Sequence, residues 1–258
     1  MPKPPISKDV GRYFLTDRIR DEVDWGRTPQ AQGVMPPPVQ KPVPAGAVPI
    51  PLPGPQAWCI PSCELTAAIA RRESHRRFLP HPLRLDELAF LLWSTQGVRA
   101  HLHAAAVLRS VPSAGCRHPF ETYLAVQRVE ELAPGLYRYL PLDHALLPEK
   151  TPDHLGARLA AACRGQRFAA EAAVSFVWAV VAARTEWRYA EAAYKVIALD
   201  AGHLCQNLYL ACEAIGAGTC AIAAYDQDRA DELLGVDGEE EFAIYIAPVG
   251  KVAQPGPA

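Results

Sequence analysis

The stretch from Arg71 to Phe78 reads RRESHRRF. Alternate residues of an extended segment share a face, so Arg72, Ser74 and Arg76 point the same way, two guanidiniums flanking a hydroxyl. Forked arginine donors with a hydroxyl between them suit a phosphate. A solvated basic turn paired with Glu73, Asp86 and Glu87 would use the same residues, and the stretch alone leaves both readings open. A second stretch, RSVPSAGCRHPFE from Arg109 to Glu121, places Pro112, Ser113, Ala114 and Gly115 between apolar segments. Side chains this small let the backbone itself press against something flat or tightly fitted.

Other residues with chemical potential are less organised. The seven cysteines include no CxxC pair, and Cys59 and Cys63, spaced C-x3-C, have no His/Cys cluster at metal-ligand spacing. Free, mostly buried thiols and no metal site are expected. His101 and His103 lack a third ligand and read as part of a solvated loop. Gly216 and Gly218 serve a helix stop better than a nucleotide loop, since the dinucleotide fingerprint is absent.

The elements that must position these groups are readable in outline. Eleven prolines between Pro29 and Pro61 exclude helix and central strand there. Residues 1–61 are therefore expected to form an extended proline-rich arm, with one short helix over Asp17–Trp25, and residues 62–258 the folded domain. Helices are predicted from Ser62 through Arg72, over Leu85–Thr95 with Gly97 as the stop, and over Asp153–Arg164. Glu121–Arg128 and Gly135–Leu140 alternate as a strand pair, Ala173–Ala183 reads as a buried strand, and Thr219–Ala224 and Glu241–Val249 as two more. Ala190–Ile215 is a long helix, apolar on most of its circumference, which needs cover on several sides. The order is mixed α+β rather than a regular βαβ series.

At 258 residues, half of them apolar and with a net charge of −2, the chain can bury a full core. Nothing draws it to nucleic acid or to an anionic membrane surface. The first residues lack the apolar run of a signal peptide and no segment is long enough to span a bilayer, so a cytoplasmic location is expected.

RxSxR after the first core helix, PSAGCRHP before the strand pair, GLYRY, DAGHLCQNLYLACEAIGAGTCAIAAYD and a terminal PVGK occur in one order. In that order the chain resembles the nitroreductase superfamily of FMN-dependent oxidoreductases, and within it the SagB-type dehydrogenases. The likeness runs from about Asp24 and Trp25, through PIPLPGP in the arm, to Lys251. It implies a nitroreductase-like fold, a central mainly antiparallel sheet flanked by helices, in an intertwined homodimer. It implies that Arg72, Ser74 and Arg76 bind the phosphate and ribityl chain of FMN, with Lys251 adding a cation nearby. Pro112, Ser113, Ala114 and Gly115 would lie along the flavin of the other subunit. Ala221, Ile222, Ala223 and Ala224 would pack on the ring and offer a backbone N–H to flavin N5. The reaction implied is hydride transfer, with NAD(P)H or the substrate as donor, on a small molecule or a peptide.

Two departures bear on the chemistry. Many members have Asn where this chain has Cys116. The SagB-type azoline oxidases carry a Lys-Tyr pair where this chain has Arg188 and Tyr189, and arginine keeps its proton at any physiological pH. Azoline dehydrogenation in ribosomal-peptide maturation is therefore an alternative to a more general oxidoreductase. A cofactor-less scaffold with the arm as docking element is a second.

Overall fold

The computed structural model describes residues 7–103 and 106–253. The outer ends of the expected arm and domain, residues 1–6 and 254–258, lie outside the described residues, as does the side chain of His103. In chain order the helices are α1 (Lys8–Leu15), α2 (Ile19–Glu22), α3 (Leu65–Arg71), α4 (Leu85–Gln96), α5 (Leu155–Ala162), α6 (Phe168–Glu171), α7 (Ala183–Tyr189), α8 (Ala193–Ala214) and α9 (Gln227–Leu234). The strands are β1 (Ile50–Pro51), β2 (Val98–His103), β3 (Ala106–Arg109), β4 (Phe120–Val126), β5 (Gly135–Leu140), β6 (Ala145–Pro148), β7 (Val174–Val181), β8 (Ala217–Thr219) and β9 (Glu241–Lys251).

Seven strands form one sheet in the order β1-β6-β5-β4-β7-β9-β8, every neighbouring pair antiparallel, and β2-β3 form a separate hairpin. This is the mainly antiparallel α+β fold that the sequence led us to expect. β7, VSFVWAVV, lies between β4 and β9 and is covered on both faces. Its alternation sorts the core: Val174, Phe176, Trp178 and Val180 face the cluster with Leu88, Leu92, Ile197, Leu204 and Leu208 of α4 and α8. Val177 and Ala179 face the cluster with Leu159, Leu233 and Leu234 of α5 and α9.

α8 buries Ile197, Ala201, Leu204, Leu208 and Ala211 at helical spacing. Gly216, in the left-handed region at φ 61°, turns the chain from its end into β8.

Several expected elements differ. The predicted strand Thr219–Ala224 stops at Thr219, because Ile222 alone beyond it makes a bridge, to Ile246. β6 (Ala145–Pro148) is not among the predicted strands, whereas α5 lies within the helix predicted over Asp153–Arg164. His101 lies exposed on β2, not on a loop. Asp17–Trp25 is split between α2 and a single 3-10 turn at Trp25–Arg27.

The proline-rich segment is laid over the body and held there mostly through its own backbone. Arg109 donates to Val39 O at 2.7 Å, and Arg138 donates to Lys41 O at 3.3 Å and to Pro42 O at 3.1 Å. Trp187 Nε1 donates to Val34 O at 2.8 Å, and Gln30 N donates to Trp187 O. β1 is itself the edge strand, paired only with β6, so its proline costs no ladder hydrogen bond on the open side. Beneath the segment lies a buried charge cluster in which Glu121 accepts from Arg138, Arg184 and the Lys41 amide.

Candidate functional site

The chain after α3 runs extended along the edge of the sheet. His75 N donates to Thr219 O at 2.9 Å and Leu79 N to Lys251 O at 2.8 Å. Stretching sorts the side chains by parity. His75 turns onto Gly218, where a Cβ would sit 2.4 Å from the imidazole, and Ser74 turns the other way, its Oγ 3.1 Å from Tyr209 Oη. The Arg72 guanidinium lies 5.4 Å from the centre of the same tyrosine ring. Arg72 and Ser74 thus meet at Tyr209, and Arg76, two residues on, is exposed.

The carboxylates that a solvated basic turn would have used are engaged elsewhere. Among the described residues Glu73 faces His75, Asp86 and Glu87 pair with Arg84, and Glu213 pairs with Arg71. Arg72 and Arg76 make no ion pair with another described residue. Lys251 lies at the same edge, but its ammonium donates to Glu87 Oε1 at 2.6 Å and Ile215 O at 2.7 Å. Its charge is matched by a buried carboxylate.

Tyr209 Oη also accepts the Ala221 amide at 2.9 Å. Ile222 exchanges backbone hydrogen bonds with Ile246 at 2.7 and 3.2 Å. Ala223 and Ala224 are exposed, and neither amide donates to another described residue. Of the four small or apolar residues expected to offer an N–H, only these two have one uncommitted.

The second group of expected residues lies at another turn of α8. Asp200 Oδ2 accepts from Ser113 Oγ at 2.6 Å and from Ala114 N at 3.2 Å, and Ser113 Oγ in turn accepts the His118 amide at 2.9 Å. Pro112 leads into this turn, and Gly115 occupies the left-handed region at φ 59°. A Cβ on Gly115 would lie 2.7 Å from Arg188 Cδ and 3.0 Å from Tyr189 Oη, so both α7 residues press on the glycine backbone. Burial raises the Asp200 carboxyl above its usual value, and the Ser113 and Ala114 donors pull it back.

Asp200 and Tyr209 are separated by about 13 Å along α8, at a rise of 1.5 Å per residue. Within one chain the structure brings together Arg72, Ser74, Tyr209 and the Ala221–Ala224 strip, and separately the Pro112–Gly115 turn with Arg188 and Tyr189. Sequence reasoning missed both organisers, Asp200 and Tyr209. Their signal is a polar group placed at intervals in an otherwise apolar helix, which must find a partner if buried.

A sequence profile of the Nitroreductase family matches residues 69–251. The chain belongs to the nitroreductase family. A nitroreductase-designated protein of Methanocaldococcus jannaschii is 29% identical over 192 residues, 74% of this chain and 93% of that one. The solved structure of a nitroreductase from Anabaena variabilis superposes with a TM-score of 0.67 at 25% identity. That match covers 81% of this chain and 42% of the other, so the chain spans less than half of that protein's length. A chain of the E. coli microcin synthetase McbBCD complex with truncated pro-MccB17 bound superposes at 0.58 and 18% identity, covering 98% and 100%, and shares the nitroreductase fold. No helix among the described residues is long and apolar enough to cross a membrane.

Proposed function

We propose that this nitroreductase-family oxidoreductase is FMN-dependent, takes electrons from NAD(P)H or from its substrate, and works as a homodimer with the flavin between subunits. The carrying observation is the spacing of the two residue groups on α8. One copy holds the cationic, hydroxyl and free-amide group; the other group, built of small residues, lies too far along the same helix to share a ligand ring with it. A second copy packed across α8, where Leu199 is 58% exposed, would bring the Pro112–Gly115 turn of one subunit to the Tyr209 end of the other.

The residues present fit FMN. Arg72 and Arg76 without carboxylate partners, with Ser74 between them, suit the phosphate and ribityl chain. The Ala223 and Ala224 amides suit the ring edge at N5, and the absence of bulk there lets a flat group approach. Lys251, tied to Glu87, pins the end of β9 beside this group. Bound there, FMN supplies hydride transfer. Arg188 and Tyr189 border the facing side, where Tyr189 Oη can donate a hydrogen bond and Arg188 supplies a fixed positive charge.

The first test is the visible spectrum of the purified protein before and after FMN is added. Flavin bands that travel with the protein at dimer size in gel filtration are expected, and Arg72→Ala weakens their retention about ten-fold or more. A colourless protein that refuses FMN would overturn the reading in favour of a scaffold. The SagB-type alternative, azoline dehydrogenation on a peptide, draws on the end-to-end likeness to the McbBCD chain and on Tyr189. Arg188 stands against it, and Arg188→Lys raising such activity would favour it.

A further inference from the structure

The arm and α7 border an open cleft of about 310 Å³ lined by Trp25, Thr28, Gln30, Ala31, Arg188 and Tyr189. The segment that forms its outer wall is fixed in place: Gln30 N donates to Trp187 O, and Thr28 Oγ1 accepts the Ala31 amide. Two of its lining residues, Arg188 and Tyr189, also press on Gly115. The cleft therefore opens beside the turn that the proposed function sets against the flavin, and the inference made here rests on that reading.

One cation and two aromatic rings stand among its lining residues, with further arginines close by. The Arg188 guanidinium stands 5.7 Å from the Tyr189 ring centre, and that of Arg20 stands 5.8 Å from both Tyr189 and Trp25. Arg117 stacks on Trp187 at 4.8 Å. Burial, and next the charge of Arg188, hold the Arg117 guanidinium below its usual value, as two neighbouring cations require. The ordinary use of an exposed arginine is a surface ion pair. Among the described residues Arg20 makes one with Asp17, and Arg188 makes none. Two nearby acids are engaged elsewhere: Glu22 accepts from Tyr13, and Asp24 caps Gly26. Arg188 is thus a forked donor with no acceptor among the described residues, on the rim of a cleft with two aromatic rings.

We propose that this cleft seats the anionic end of the substrate, a planar carboxylate whose flat portion lies against Trp25 and Tyr189 and whose oxygens meet the Arg188 guanidinium. A carboxylate matches the arginine fork in two parallel hydrogen bonds, and the rings supply apolar faces for a conjugated or aromatic group. The arm thus sets which substrates reach the flavin side of α7.

The test uses benzoate and benzamide, equal in shape and different in charge, titrated calorimetrically into the full chain with and without saturating FMN. Benzoate should bind about ten-fold tighter than benzamide or better, a ratio that corresponds to about 1.4 kcal/mol. Arg188→Gln should remove that preference, Arg188→Lys should keep part of it, and Trp25→Ala should weaken both ligands. Equal binding of the two probes, no binding of benzoate, or unchanged benzoate affinity in Arg188→Gln would each overturn the proposal. Flavin retention is read on the same samples. A colourless protein that still prefers benzoate through Arg188 refutes the cofactor assignment and upholds the anion site, whereas a flavin-loaded protein indifferent to benzoate does the reverse.

Discussion

Ser74 Oγ lies 3.1 Å from Tyr209 Oη, and through that phenol one side chain of α8 joins the extended segment after α3 to the strip that begins at Ala221. Tyr209→Phe keeps the ring beneath Arg72 and deletes both hydrogen bonds. If this junction shapes the cofactor edge, FMN affinity falls about five- to twenty-fold, the worth of one or two lost hydrogen bonds. Fluorescence titration of FMN into the variant measures it. Wild-type affinity would place the cofactor elsewhere.

Asp200 holds the Pro112–Gly115 turn by accepting from Ser113 and Ala114. Asp200→Ala leaves a half-buried hydroxyl and amide without their acceptor, at a cost of about 0.5–1.5 kcal/mol. Faster hydrogen exchange is expected in the 113–116 amides than in β4, with loss of melting temperature. Equal protection in both segments would show that the turn is held by something other than Asp200.

Glu121, 2% exposed, serves two buried guanidiniums and the Lys41 amide. Glu121→Gln removes the charge that compensates Arg138 and Arg184, and breaking a buried pair in this way costs about 3–5 kcal/mol. Chemical denaturation should report a loss in that range, and exchange of amides 39–43 should accelerate as the arm loosens.

His118 is buried, its Nε2 3.1 Å from Val107 O. Burial, then the charge of Arg109, pushes its imidazole down to about 3 from the usual 6.5. The unfolded chain therefore takes up a proton that the folded chain refuses. Stability from this group is complete above pH 6.5 and drains as pH falls toward 3, on the order of 2–4 kcal/mol lost by pH 4. His118→Gln should flatten the decline of stability between pH 7 and pH 4. A variant with the wild-type slope would assign acid sensitivity to other groups.

The fold was legible where one physical signal dominated. The apolar run of β7 and the stretches that became β4 and β5 are strands covered on both faces, and α8 shows its buried positions at helical spacing. Legibility failed where the chain is short-range irregular. Cys220–Ala224 has the composition of a strand, but the chain leaves the sheet after Thr219 and touches β9 again only at Ile222. β6 carries only a short apolar stretch, four residues long, beside a polar turn. In the candidate site, the alternate spacing of Arg72 and Ser74 was enough to bring them together. Tyr209 and Asp200 act from a helix whose pattern announces only packing, and the pairing of Lys251 with Glu87 joins residues 164 positions apart.

Between Gln30 and Pro42 the arm's hydrogen bonds to the body run mostly through its peptide groups: Val34, Val39, Lys41 and Pro42 offer carbonyls, Gln30 and Lys41 offer amides, and the side chain of Lys41 is the main exception through Tyr123 and Glu241. A clasp that reads main chain tolerates exchange of the residues it carries. The wall at Trp25, Gln30 and Ala31 is thus separable from its own attachment, a replaceable template on a constant mount. Grafting different side chains at these three positions should redirect substrate choice while the charge cluster below, and the sheet it rests on, stay as they are.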